Sequence, residues 1–410
     1  MAALNLRVRA LSYAAFSIFI VLSFPTHCGL PSYVLSNMSS LFLLSKIKRA
    51  HQPDYLILFC FAFLLLGGLV ALSSASSNLA RINFGEPSYY LTHQILYGLL
   101  PGLLGFFLAS KIYYGVYRNR AIGICFLIFT IILLALVFSP LGFEAGGASR
   151  WLRVGPITFQ PAELLKLALP IYLANWLSQR EARQRNIRQG LIPLLFVIGI
   201  ISTFLILQHS TSPVLILIFV ALLMYYISGA RLRYILGIGA ITLAALVIII
   251  STTKYRADRI LTFLNPEADP YNRGFHFIQA KMAIGAGGLT GVGFGQSTVK
   301  FRLPEPIGDS IFAVIAEEFG FIGSMILLGI ITTLVLRILF LARETRDRFG
   351  QLLLVGFGSI IGVQSFVNIG AMSGILPLTG TPLPFISYGG TALVIFMTMM
   401  GVVINISKYN

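Results

Sequence analysis

Long apolar runs alternate with short polar connections along this chain. The runs fall near 56–76, 91–110, 121–139, 161–177, 191–207, 212–228, 233–252, 309–337, 350–372 and 385–406. Most are close to the roughly twenty residues that a helix needs to cross a hydrocarbon core. Backbone N–H and C=O groups find no partner in lipid, so each run is expected to be helical. A strand barrel would alternate polar and apolar positions, and these runs do not. The expected fold is all-α: a polytopic membrane bundle of about ten transmembrane helices. One connection is long, 253–308, and its stretch 274–289 has the apolar content of a helix lying over one face of the bundle.

Composition sharpens this picture. The chain has 410 residues, 57% hydrophobic and 11% charged, where a soluble domain carries charge on about a quarter of its positions. A net charge of +16 would point to nucleic acid in a soluble protein. Here the basic residues sit mostly in short connections, so they report topology, anionic lipid is their counter-charge, and no nucleic-acid partner is expected. One set of loops carries Lys46, Lys48 and Arg49; Lys111, Arg118 and Arg120; Arg180, Arg183, Arg185 and Arg188; Arg231 and Arg233; Arg343, Arg346 and Arg348; and Lys408. The positive-inside rule puts that set in the cytoplasm, with both ends of the bundle, and puts 140–160, 253–308 and 373–384 outside. Residues 51–410 form the bundle. Residues 1–50 are an N-terminal extension in which Arg7 and Arg9 precede an apolar stretch at 11–24, like a signal h-region with no small-x-small cleavage site after it. Three cysteines without a CxxC spacing and five scattered histidines support neither a disulfide framework nor a zinc site.

Ionisable groups inside a membrane span are costly and are functional candidates by default. Glu163 and Lys166 are three apart, on one face of the fourth span, either as an ion pair locking two helices or as substrate contacts. Asp309 stands where the long loop meets the eighth span, either as an ordinary N-cap or as a carboxylate at the water–lipid boundary able to take a proton from a sugar hydroxyl. Glu305 precedes it by one turn, and Glu317 and Glu318 follow about two turns on. The glycine-rich stretch 285–295 lacks the Lys-Ser/Thr ending of a nucleotide loop; it reads as a flexible outer loop or as amides approaching a pyrophosphate. Trp151 suits an interfacial aromatic belt, and the planar donor fork of Arg150 suits a phosphate. The proline- and glycine-rich stretch 368–391, which includes Ser387, implies irregular backbone at membrane depth, tolerated only when buried in protein or lining a wet cavity.

These motifs resemble the SEDS family (shape, elongation, division and sporulation) from about residue 53 to the C-terminus. The match rests on Gly147 to Trp151 followed by Phe159-Gln160-Pro161-Ala162-Glu163-Leu164-Leu165-Lys166, on Leu303-Pro304-Glu305 through Asp309 and Glu317-Glu318-Phe319-Gly320, and on Pro384 to Gly390. The resemblance implies a peptidoglycan glycosyltransferase that polymerises lipid II at the outer face of a bacterial inner membrane. Its implied partners are a class B penicillin-binding transpeptidase and other divisome proteins. It implies Asp309 as the catalytic carboxylate, and Arg150, Trp151, Glu163, Lys166, Glu305 and Ser387 as substrate-binding residues. Arg150, Lys166 or a divalent cation (Mg or Mn) would then meet the charge of the departing pyrophosphate. Ile307-Gly308 stands where family members often have His-Thr, and Gln208-His209-Ser210-Thr211 where many carry an aspartate. The run Ser297 to Phe301 is similar to division-type members. An elongation-type polymerase and a lipid II flippase are the alternatives.

Overall fold

The computed structural model describes residues 51–410, apart from 146–147, 156, 180–185 and 273. The expected N-terminal extension 1–50, and Arg180, Arg183 and Arg185 of the topology argument, lie outside the described residues.

Each of the ten apolar runs is helical. They are α1 (Tyr55–Phe84), α2 (Tyr89–Lys111), α3 (Arg120–Leu136), α4 (Pro161–Ser178), α5 (Ile187–Leu207), α6 (Thr211–Ile227), α7 (Leu232–Thr252), then α10 (Ile311–Glu344), α11 (Arg348–Met372) and α12 (Gly390–Tyr409). Among the described residues, seven helices are long and apolar enough to cross a membrane, and α3 and α6 are shorter apolar helices. The long connection holds α8 (Lys254–Leu264) and α9 (Phe275–Ala286). The expected helix at 274–289 is α9; α8 was not foreseen, because its basic sequence lacks the long apolar run that marked the other helices. A three-stranded antiparallel meander, β1 (Gly142–Ala145), β2 (Ala148–Val154) and β3 (Ile157–Phe159), was not foreseen either. Several run boundaries also move: the helix expected at 56–76 continues to Phe84. Residues 385–389 belong to a loop rather than to the last helix, and the run at 309–337 begins at Ile311 and continues to Glu344.

The centre of the bundle is α4, packed against α3, α6 and α11. Its side chains are buried by protein along most of its length, so it tolerates Glu163, Lys166 and Asn175, which lipid would penalise. Gly356 of α11 lets Pro170 of α4 and Met224 of α6 close in; a β-carbon there would meet both at 2.9 Å. At the end of the bundle away from Asp309, polar ties replace greasy packing. The Asp54 carboxylate caps α1 and accepts from Arg337 at 2.6 Å, and the Asn405 side chain accepts from the Tyr114 amide at 2.8 Å.

The helix α10 is two helices joined at a break. Gly320 has φ 65° and ψ −163°, which no helix contains. The break exists because another chain segment crosses there. The amides of Val292 and Gly293 donate to the carbonyls of Glu317 and Glu318, and those of Phe321 and Ile322 donate to Gly288 and Leu289. Residues 288–293 of the glycine-rich stretch are thus packed onto α10 by backbone hydrogen bonds. Their glycines allow two backbones to touch, and a β-carbon on Gly291 would collide with the Glu318 carbonyl. Substituting Gly320→Ala combines a left-handed φ with a collision against the Gly291 amide and should cost about 2 kcal/mol or more. Its melting temperature in detergent should fall well below the parent's. Gly329→Ala on the same helix, where an added methyl meets nothing, should leave it unchanged or slightly higher.

Candidate active site

Two irregular loops at one end of the bundle are sewn into a single unit. Asn368 of α11, 1% exposed, donates its side-chain amide to the Asp309 carbonyl at 2.8 Å and to the Thr381 carbonyl at 2.7 Å. One turn earlier, Gln364 donates to the Pro382 carbonyl at 2.8 Å. The Ser387 hydroxyl donates to the Gly308 carbonyl at 2.6 Å and accepts from the Leu383 amide, while the Tyr388 amide donates to the Ile307 carbonyl. Backbone that forms neither helix nor sheet thus has its polar groups satisfied from within the protein. Glu305 (φ 47°) and Phe385 (φ 67°) adopt left-handed backbone in these same loops. Each costs on the order of 1–2 kcal/mol for a residue with a β-carbon, so the surrounding bonds must impose it.

Asp309 is not a helix cap. The N-cap position of α10 is Ser310, whose side chain makes no capping bond. The Asp309 carboxyl instead sits on the wall of a cavity of about 330 Å³, shared with Asp258, Arg259, Thr262 and Phe263 of α8, His276 and Phe277 of α9, and Leu378 and Gly380 of the last loop. Arg259 is anchored there by donating to the Leu378 carbonyl at 3.1 Å. Oδ1 of Asp309 is buried without a hydrogen-bond partner. Burial pushes this carboxyl up to about 6, against the opposing pull of its own amide, of Arg259 and of Ser310. Glu305 is also raised, by desolvation and then by the neighbouring Asp309 carboxylate, against the pull of His276. His276 is lowered, first by burial and then by Arg259, against the pull of Glu305, so its imidazole adds no second cation beside Asp309 at neutral pH.

The other residues singled out in the sequence are placed differently. Arg150 spends its fork on the Gln208 carbonyl at 3.2 Å and the His209 carbonyl at 2.6 Å, where α5 ends with His209 at φ 54°. Trp151 pairs with Phe143 in the meander. Neither lines the Asp309 cavity. Glu163 and Lys166 form a buried pair with Nζ and Oε1 2.6 Å apart, 3% and 2% exposed, the ammonium 5.5 Å from the centre of the Phe396 ring. Ser387 acts through its hydrogen bonds as a brace for the Asp309 loop. Glu317 and Glu318 clamp the segment after the glycine-rich stretch. Glu317 accepts from Ser297, Thr298 and Val299, and Glu318 accepts from Ser74 and from Lys300 at 3.2 Å. Arg259 and His276 were not foreseen as site residues. The only signal in the sequence was their place in an amphipathic connection too long to be a simple turn. Among the described residues, no three His, Cys, Asp or Glu side chains converge to hold a metal ion.

The Glu163–Lys166 pair makes a prediction about stability. Removing one partner strands the other charge in a buried site, at a cost of about 3–5 kcal/mol, whereas replacing both with apolar residues of similar volume is close to neutral. Glu163→Ala should therefore lose most folded protein on detergent size-exclusion chromatography. The double variant Glu163→Leu/Lys166→Met should elute as the parent does.

The model of the FtsW/RodA/SpoVE cell cycle protein family matches residues 54–410. A probable peptidoglycan glycosyltransferase FtsW of Geobacter sp. (strain M18) is 36% identical over 88% of this chain and 98% of the relative. Stage V sporulation protein E of Bacillus subtilis (strain 168) is 34% identical over 88% of this chain and 98% of that protein. In a solved peptidoglycan synthase complex that coordinates polymerization and crosslinking, one chain superposes with a TM-score of 0.73 at 28% identity, covering 87% of this chain and 97% of that one. The rod shape determining protein RodA of Thermus thermophilus superposes with a TM-score of 0.64 at 27% identity, covering 87% of this chain and 98% of that one. Sequence and fold agree over nearly the whole bundle, and this chain is a multi-pass membrane protein of the FtsW/RodA/SpoVE cell cycle family.

Proposed function

We propose that this protein is a peptidoglycan glycosyltransferase that polymerises lipid II into glycan strands during cell division, with Asp309 as its general base. The observation that carries this reading is the desolvated Asp309 carboxyl on the cavity wall, one of whose oxygens, Oδ1, has no hydrogen-bond partner. A buried acceptor without a donor is costly, and a sugar hydroxyl is a donor that also has a proton to give up. In the proposed step that proton passes to the Asp309 carboxylate as the acceptor oxygen bonds to the anomeric carbon of the donor. The bond from that carbon to the diphosphate oxygen breaks, and undecaprenyl pyrophosphate leaves with the electron pair. A carboxyl raised to about 6 is a stronger base than an ordinary carboxylate yet is ionised at neutral pH.

Arg259 lines the same cavity and supplies positive potential there, whereas the donors of Arg150 and Lys166 are engaged elsewhere in this conformation. The arginine-rich short loops support a cytoplasmic location for the opposite end of the bundle, by the positive-inside rule. The Asp309 end then opens to the outer side of a bacterial inner membrane, where lipid-linked precursor is consumed. The division role and a crosslinking transpeptidase partner are supported by the names of the FtsW relatives and by the likeness to a chain of a synthase complex.

The test is polymerisation of purified lipid II, with the protein and its transpeptidase partner in detergent and the glycan products resolved by length. Asp309→Asn should slow polymer formation by about a hundredfold to ten-thousandfold. Polymer at the parental rate would remove Asp309 from the mechanism. The absence of polymer from both proteins, with lipid movement in vesicles instead, would favour a flippase. The base must be ionised to act, and its pKa is raised, so kcat/KM of the parent should hold above pH 6 and fall about tenfold per unit well below it. An unperturbed aspartate would keep its activity down to about pH 4.

A further inference from the structure

The hydrogen bond between His276 and Ser310 is not accounted for by the proposed proton transfer. The His276 ring nitrogen Nε2 lies 2.6 Å from the Ser310 hydroxyl oxygen, and the same hydroxyl lies 2.8 Å from the Pro304 carbonyl. With the hydroxyl proton given to that carbonyl, which can only accept, the imidazole protonated at Nε2 donates across the shorter distance. Ser310 in turn donates its backbone amide to the Glu305 carbonyl. One hydroxyl, fully buried, therefore fastens both ends of the turn 304–310 to a ring from a different helix.

The sequence of the long connection explains how that ring arrives. At the start of α9, the Gly274 amide donates to the Asp269 carbonyl, and a β-carbon on Gly274 would collide with the Pro266 carbonyl. Phe277 stacks edge-on against Phe263 of α8 at 6.2 Å. His276, Ala280 and Ala283 follow at i, i+4 and i+7, which puts them on one helical face. Both alanines are fully buried, and α9 packs along α10. The small residues bring the helices close enough for the imidazole to reach Ser310, and the ring also lines the cavity beside Asp309.

We propose that His276 is a positioning residue for the reaction: as an Nε2 hydrogen-bond donor to Ser310, it holds the Asp309 carboxylate at the cavity wall. This rests on the reading of Asp309 as the base, and it adds a part that the long connection, rather than the spanning bundle, contributes to the site. The role requires a donor at the Nε2 position and does not require a titrating ring. Glutamine carries an amide nitrogen at a similar reach; alanine carries nothing.

The test uses lipid II polymerisation by the full chain with its transpeptidase partner. His276→Ala should lower kcat by about tenfold to a hundredfold, with KM within about twofold of the parent, because aligned chemistry rather than substrate affinity is lost. His276→Gln should recover most of that kcat. Ser310→Ala removes the other half of the bond, so the double variant His276→Ala/Ser310→Ala should be no slower than the slower single variant. Melting temperatures in detergent identify any variant that has simply unfolded, and His276→Gln retains the test if His276→Ala does. A parental kcat for His276→Ala, or a folded His276→Gln as slow as His276→Ala, overturns the proposal. Asp309→Asn, run in parallel, separates the two readings. If it is inactive while His276→Ala is unimpaired, only the positioning role falls. If it is fully active, the base falls and the positioning role with it.

Discussion

The side-chain amide of Asn368 is the tie on which the site depends. It is buried in α11 and donates to two carbonyls on two different loops, one of them that of Asp309. Irregular backbone beside a membrane span is stable only if protein supplies the hydrogen bonds that lipid cannot. Asn368, Gln364, Ser387 and the Tyr388 amide supply them here. Because these bonds are made, Glu305 and Phe385 can be held in left-handed backbone, and Asp309 can be presented outside any helix. The cost of that geometry is borne by the packing of α11 within the bundle.

A second constraint acts from the other side of Asp309. The segment 311–319 ends at Gly320, where the glycine-rich segment crosses it and takes up its carbonyls. Glu317 and Glu318 sit at this crossing. Buried carboxylates usually weigh against stability unless paired and hydrogen-bonded. Glu317 accepts from two backbone amides and a serine hydroxyl, and Glu318 faces Lys300 and Ser74 of α1. The two acids thereby fasten the long connection to the bundle. The same connection delivers Arg259 and His276 to the cavity, so the fold of the non-spanning segment and the electrostatics around Asp309 are one problem rather than two.

The consequence for chemistry is a carboxyl that is partly desolvated, faces one permanent cation and one neutral imidazole, and retains an unpaired oxygen. Desolvation raises its basicity, and Arg259 limits how far. A site of this kind can remove a proton from a neutral hydroxyl and then hold it without a solvent exchange at the moment of reaction.

Much of this was legible in the chain before any coordinates. Apolar runs of spanning length dictate helices, because lipid offers the backbone no alternative, and all ten appear. The proline- and glycine-rich stretch after Asn368 marked irregular backbone at depth, and the acid at 309 was visible where the long connection meets the eighth span. Spacing alone paired Glu163 with Lys166, since residues three apart share a helical face. Other features depended on segments distant in sequence. Nothing near Gly320 announces a helix break, because its cause is the segment 288–293 passing over it. Nothing near Arg150 indicates that its fork is taken by carbonyls some sixty residues later. Arg259 was one basic residue among several in a loop, and His276 a lone histidine, until α8 and α9 folded back and put both on the cavity wall with Asp309. Local sequence determines which backbone hydrogen bonds a segment can make for itself; only the tertiary structure decides which side chains end up sharing one desolvated space, and the chemistry depends on that sharing.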